Sequence, residues 1–159
     1  MEIREATEDD WPAIFPFWKR IVEAGETYAY PLGLASAEAR ELWLEEPPGR
    51  TVVAVAGAEV LGSAKMGPNR PGRGAHIATA SFMVDRAGRG VGRALGAHVI
   101  DWARAAGYHG IQFNAVVETN AVAVHLWRAL GFQIIGTVPE AFRHPAEGLV
   151  GLHVMYLKL

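Results

Sequence analysis

The stretch Ala78-Thr79-Ala80-Ser81-Phe82-Met83-Val84, followed after a short turn by Arg89-Gly90-Val91-Gly92-Arg93-Ala94-Leu95, decides how this chain is read. The first run is apolar and reads as a strand, and the residues from near Val91 through Ile100 read as a helix. Glycines at a strand-to-helix turn let the main chain come close to a ligand, because no Cβ stands in the way. The first N–H groups of such a helix have no partner inside it and carry the positive end of its dipole, which suits a phosphate or diphosphate. Arg89 and Arg93 add charge at the same spot. The turn is therefore expected to hold a phosphorylated ligand through the main chain of Arg89, Gly90, Val91, Gly92 and Arg93. The competing reading is a turn that only joins a strand to a helix.

Two other phosphate motifs are excluded. A dinucleotide fingerprint requires a third glycine where this chain has Leu95, and a Walker A loop requires Gly-Lys-Ser/Thr, which does not occur.

Outward from this turn, the chain divides without a linker or repeat. Glu2 to Glu5 alternates like a short edge strand. Thr7 ahead of Glu8, Asp9, Asp10 and Pro12 marks a helix start. Ile14, Phe17, Trp18, Ile21 and Val22 continue it at helical spacing, with Pro16 expected to bend or break it early. A loop from Gly25 to Leu34 precedes a second helix, Ser36 to Glu46, expected to be capped by Ser36 and closed by Pro47-Pro48-Gly49. Thr51 to Ala56 and Glu59 to Met66 read as strands joined at Gly57-Ala58. An irregular loop, Gly67 to Gly74, carries Arg70 and Arg73. Beyond the glycine turn come a strand at Ile111 to Val117, a helix at Asn120 to Leu130 stopped by Gly131, and closing strands at Phe132 to Val138 and Leu149 to Lys158. The predicted order is β–α–α–β–β–β–α–β–α–β–β. It describes a mixed α/β domain, antiparallel first and parallel around the glycine turn.

At 159 residues, one domain spanning 1–159 is expected. Half the residues are hydrophobic and 20% charged, the balance of a soluble globular protein. A net charge of -2 without a long charged run argues against nucleic-acid and membrane-surface partners. No cysteine is present, so a thiol nucleophile is excluded. No signal-peptide layout or membrane-length apolar run occurs, and a cytoplasmic location is expected.

Two motifs resemble those of the GNAT superfamily of N-acetyltransferases. One is Phe82-Met83-Val84 leading to Arg89-Gly90-Val91-Gly92-Arg93-Ala94-Leu95. The other is Val117-Glu118-Thr119-Asn120 through Trp127-Arg128-Ala129-Leu130-Gly131-Phe132, similar to the family's Asn-x-x-Ala-x-x-Leu-aromatic…Gly-Phe helix. The order of elements agrees from end to end, with members related to phosphinothricin and amino-acid N-acetyltransferases the most similar. The resemblance implies acetyl-CoA as cosubstrate, no metal, and a sheet whose two central strands splay to admit pantetheine. It also implies diphosphate on Arg89 to Arg93, and pantetheine amides pairing with the backbone of Phe82, Met83 and Val84. A free N–H there would polarise the thioester carbonyl. Asn120 would both cap its helix and reach the pantetheine arm, the competing reading being capping alone.

The chain departs from the family pattern at Ala87, where Gln or Arg is common, in a turn shorter than usual, and at Trp127, where a tyrosine often serves as acid. An indole N–H donates a hydrogen bond but is no useful acid, so Trp127 is expected to pack against the cofactor arm or to fill core. For the base, the candidates are Glu118, Glu26, His76, or a water relay through Ser81 and Thr79. Glu26, Thr27, Tyr28 and Tyr30 are expected to wall the acceptor pocket, with Arg70, Arg73 and the loop Pro139 to Pro145 nearby. The acceptor is expected to be a small, amino-acid-like amine that attacks directly in a ternary complex. The rival readings are a non-catalytic acyl-CoA sensor and a protein N-terminal or lysine acetyltransferase. Exposed strand edges and abundant aromatic residues suggest a homodimer.

Overall fold

The computed structural model describes residues 1–159. A seven-stranded mixed sheet in the order β1-β2-β3-β4-β5-β7-β6 forms the middle layer. Its strands are β1 (Glu2–Glu5), β2 (Arg50–Ala56), β3 (Glu59–Pro68), β4 (Ile77–Val84), β5 (Gly110–Val117), β6 (Gln133–His144) and β7 (Gly148–Lys158). Helices α1 (Trp11–Ala24) and α2 (Ser36–Trp43) cover one face, while α3 (Val91–Ala105) and α4 (Ala121–Ala129) cover the other. This is the predicted order of elements.

The layering follows from side-chain alternation. On β2, Val52 and Ala54 enter the core beneath α3 and α4, whereas Val53 and Val55 enter the core beneath α1 and α2. A strand buried on both faces has no polar side, which explains its unbroken apolar run. Trp11, Ile14, Phe17, Trp18 and Val22 of α1 pack on the second of these cores, and Leu95, Val99 and Ile100 of α3 pack on the first. Each such side chain removed from water contributes roughly 1.5–3 kcal/mol before conformational entropy is counted.

The sheet is continuous except at one seam. Strands β4 and β5 are parallel and stay in register only at Ile77 with Gly110 and Ala78 with Ile111. Beyond that point β5 carries a register shift against β7 between Phe113 and Val116. A bulge bends its strand and increases local twist, so β5 turns away from β4 where Asn114 and Ala115 together stand opposite Val154 alone. The seam opens into a V.

Four local expectations are corrected. Ser36 does not cap α2: Ala35 precedes the helix and donates its N–H to Glu38 at 2.8 Å, while Ser36 Oγ accepts the Trp11 indole N–H at 2.9 Å. The helix ends at Trp43 rather than at Glu46. Pro16 does not interrupt α1, because Pro12 and Pro16 both lie on its exposed side and water can reach the carbonyl left without a partner. Pro139 to His144 is not a loop but the second half of β6, bulged between Val138 and Phe142, with Glu140 in the left-handed region at φ 52°.

Candidate active site

The opening between β4 and β5 forms a cavity of about 780 Å3, walled by both strands, the glycine turn, α4 and the loop between α1 and α2. At one mouth lies the turn. Gly90, at φ 71°, stands immediately before α3 in a conformation that a side chain would strain. No group of the protein accepts the backbone N–H of Arg89, Gly90, Val91, Gly92 or Arg93, and the first N–H of α3 to be bonded is that of Ala94, to the Gly90 carbonyl at 3.1 Å. Free amides at the positive end of a helix fit an anionic diphosphate. Arg20 pins the start of the turn by donating to the Asp85 carbonyl at 2.7 Å and to its carboxylate at 2.6 Å.

Most of the residues singled out in the sequence meet at this cavity. Ser81, Phe82, Met83, Val84, Gly90, Val91, Gly92, Arg93, Asn120, Trp127, Thr27, Tyr28 and Tyr30 all line it. The Asn120 Oδ1 accepts the Ala123 N–H at 3.2 Å, so the side chain caps α4, and its amide NH2 has no partner within the protein. Trp127 is 7% exposed, with ring centroids 4.6 Å from Phe82 and 4.9 Å from Phe113, and so serves as both core and wall.

Three others lie off the cavity wall. The Arg89 guanidinium turns to Glu59 at 3.1 Å, although its backbone stays in the turn. Glu26 is exposed and does not line the cavity. The Glu118 carboxylate faces β7, where Oε1 accepts the Gly151 N–H at 2.5 Å. No Asp or Glu lines the cavity; its charged or chargeable groups are Arg86, Arg93, His125 and two tyrosines. Burial pushes the Tyr28 and Tyr30 phenols above their ordinary range, so both serve as neutral hydrogen-bonding groups.

Sequence reasoning missed Arg86, Asn114 and His125, which also line the cavity. Arg86 was legible as a charge beside the glycine turn, and His125 as a residue inside the Asn120 motif. Asn114 had no signal, because it reaches the cavity only where β5 parts from β4, which the sequence of β5 alone does not show.

Comparison with known proteins agrees with this geometry. Residues 3–132 match the acetyltransferase (GNAT) family. A GCN5-related N-acetyltransferase from Kribbella flavida is 61% identical, superimposes with a TM-score of 0.95, and covers 99% of this chain and 97% of its own. The yncA protein of Salmonella typhimurium, solved with its cofactor acetyl-CoA, is 26% identical with a TM-score of 0.84, covering 100% of this chain and 94% of its own. The L-methionine sulfoximine/L-methionine sulfone acetyltransferase of Pseudomonas aeruginosa is 33% identical over 150 residues, 87% of this chain and 83% of that protein. With the free amides of the glycine turn opening onto a split sheet, these likenesses place the chain in the acetyltransferase (GNAT) family, as an acetyl-CoA-dependent acyltransferase.

Proposed function

We propose that the protein acetylates the amine of a small, amino-acid-like molecule by direct attack in a ternary complex. The observation carrying this reading is the cavity between β4 and β5, with unbonded amides at one mouth and the Thr27–Tyr30 loop in its wall. The amides of Arg89 to Arg93 receive the diphosphate, helped by the Arg93 and Arg86 side chains. Asn120 and the aromatic surface of Trp127 flank the pantetheine arm, which lies along Phe82, Met83 and Val84. Acetyl-CoA supplies the acetyl group activated as a thioester.

Thr27, Tyr28 and Tyr30 form the acceptor wall, with Glu26 at its rim. Apolar and hydroxyl-bearing walls suit a compact amine better than a polycation, since no carboxylate lines the cavity to pair with extra positive charges. The Pseudomonas aeruginosa relative, named for acetylating methionine analogues, supports the same class. Ser81 and Thr79 lie on the wall and lead the acceptor's proton to water, a route the geometry favours over Glu118.

The exposed apolar side chains Ile135 and Val138 on β6, and Leu149 on β7, support a homodimer through this end of the sheet. We place the protein in the cytoplasm; no helix is long and apolar enough to cross a membrane. The reading is tested by following thiol release from acetyl-CoA with a panel of α-amino acids, methionine analogues, polyamines and N-terminal peptides. Turnover with the small zwitterions is expected, and turnover confined to the peptides overturns the acceptor assignment.

A further inference from the structure

One contact at the cavity is unlike the rest. The Tyr28 hydroxyl donates to the Phe82 carbonyl at 2.5 Å and accepts the Phe82 backbone N–H at 2.9 Å. Strand geometry explains why these groups are available. Asp85 donates its N–H to Leu61 of β3, so odd-numbered residues at this end of β4 bond toward β3, and even-numbered ones face the seam. At Ala78 the seam is closed by β5, but Phe82 lies beyond the last paired residue. A phenol has one donor and spare acceptor lone pairs, and so replaces the missing strand at that position.

We propose that Tyr28 is a latch on the acyl subsite: it holds the seam-side N–H of Phe82 until an acyl thioester displaces the hydroxyl and takes that N–H through its carbonyl oxygen. The proposal rests on acyl-CoA binding in the β4–β5 groove. On this stretch the Phe82 N–H is engaged, so the free N–H expected there is not that of Phe82 until the latch opens.

The latch is a positioning device, because Tyr28 belongs to the loop that walls the acceptor side. Its ring stacks on Tyr30 at 5.6 Å and meets the edge of Trp43 at 6.4 Å. The loop is bounded by Gly25 at φ 68° and Gly33 at φ 74°, positions able to absorb a backbone change. Releasing the hydroxyl therefore moves Thr27 and Tyr30 together with Tyr28, and couples acyl loading to the shape of the acceptor pocket. Free CoA keeps its pantetheine amide carbonyls, which pair nearer the glycine turn, but ends in a thiol with no carbonyl at the acyl end of the arm, and so leaves the latch closed. Acyl donor should accordingly bind before amine.

The test compares acetyl-CoA with CoA. In wild-type protein labelled with 15N-phenylalanine, the Phe82 amide resonance should move with acetyl-CoA and far less with CoA. Tyr28→Phe keeps the ring stack and removes the hydroxyl, so the ratio of acetyl-CoA to CoA affinity by calorimetry should rise roughly fivefold. Equal responses of Phe82 to both ligands, or a Tyr28→Phe protein whose two affinities change in parallel, overturns the latch while leaving the groove intact. Binding of both ligands with no response at Phe82 overturns the groove assignment and the latch together. The resonance measurement uses wild-type protein and decides the matter even if the substitution unfolds the chain.

Discussion

Glu118 and Gly151 are joined twice: the Glu118 N–H donates to the Gly151 carbonyl at 3.0 Å, and the Gly151 N–H donates to Glu118 Oε1 at 2.5 Å. The carboxylate thus completes the pairing of β5 with β7 at the point where β5 ends. Glu118→Gln retains an acceptor oxygen, so kcat at neutral pH should stay within about twofold of wild type. Glu118→Ala strands the buried Gly151 N–H and should cost roughly 1–2 kcal/mol in urea melts. A tenfold or greater loss of kcat in Glu118→Gln, at unchanged acetyl-CoA affinity, would restore Glu118 as the base.

The glycine turn makes a separate prediction. Asp is tolerated at a helix start, where the dipole favours its charge, so Gly92→Asp should fold normally, and Gly90→Asp should fold with the roughly 1–2 kcal/mol cost of a side chain at φ 71°. A Cβ on Gly92 would stand 3.2 Å from Leu126 Cδ2, which a small shift of that side chain relieves. The new carboxylate would occupy the free amides and repel a diphosphate. CoA affinity should fall at least about tenfold in each, near 1.4 kcal/mol or more. Titration calorimetry showing unchanged affinity in both would move the diphosphate elsewhere.

Trp127 tests whether packing is the whole duty of a residue at the position where the family resemblance implies an acid. Trp127→Phe keeps an aromatic surface against Phe82 and Phe113 and should leave kcat within about threefold, with about 1–2 kcal/mol lost in stability. Trp127→Ala opens a cavity beneath α4 and should cost roughly 3–5 kcal/mol. If Trp127→Phe lost kcat a hundredfold while folding normally, the indole N–H would have a part in the chemistry.

The order of elements was legible because each has a strong apolar period and glycine or proline at its ends: Gly57 between β2 and β3, Gly107 after α3, Gly131 after α4. The turn with its free amides was legible for the same local reason. What the sequence did not disclose is set by distant partners. Ser36 reads as a cap until Trp11 takes its hydroxyl. Glu118 reads as a carboxylate beside the cleft until β7 brings the Gly151 N–H to it. Tyr28 reads as a pocket wall until the parting of β5 leaves Phe82 without a strand partner. Side-chain direction at a bulge or seam depends on tertiary pairing, which periodicity along one chain does not contain.

The Arg4–Asp10 pair predicts how stability responds to acid. Both Arg4 amino groups donate to Asp10 at 2.8 Å, the Thr7 N–H adds a bond of the same length, and Asp10 is only 7% exposed. The Arg4 hydrogen bonds, assisted by Thr7 and opposed by burial, hold the Asp10 carboxyl well below its usual 3.8, at about 2. Its folded value lies below its unfolded one, so the stabilisation is present above the unfolded value and is lost as pH falls through the folded value. The difference corresponds to about 2 kcal/mol at neutral pH, an upper figure because Arg4 itself is partly solvated. Asp10→Asn should therefore lose up to about 2 kcal/mol in urea melts at neutral pH, and the gap to wild type should narrow between about pH 4 and pH 2. A gap that stays constant across that range would mean that the pair contributes through shape rather than charge.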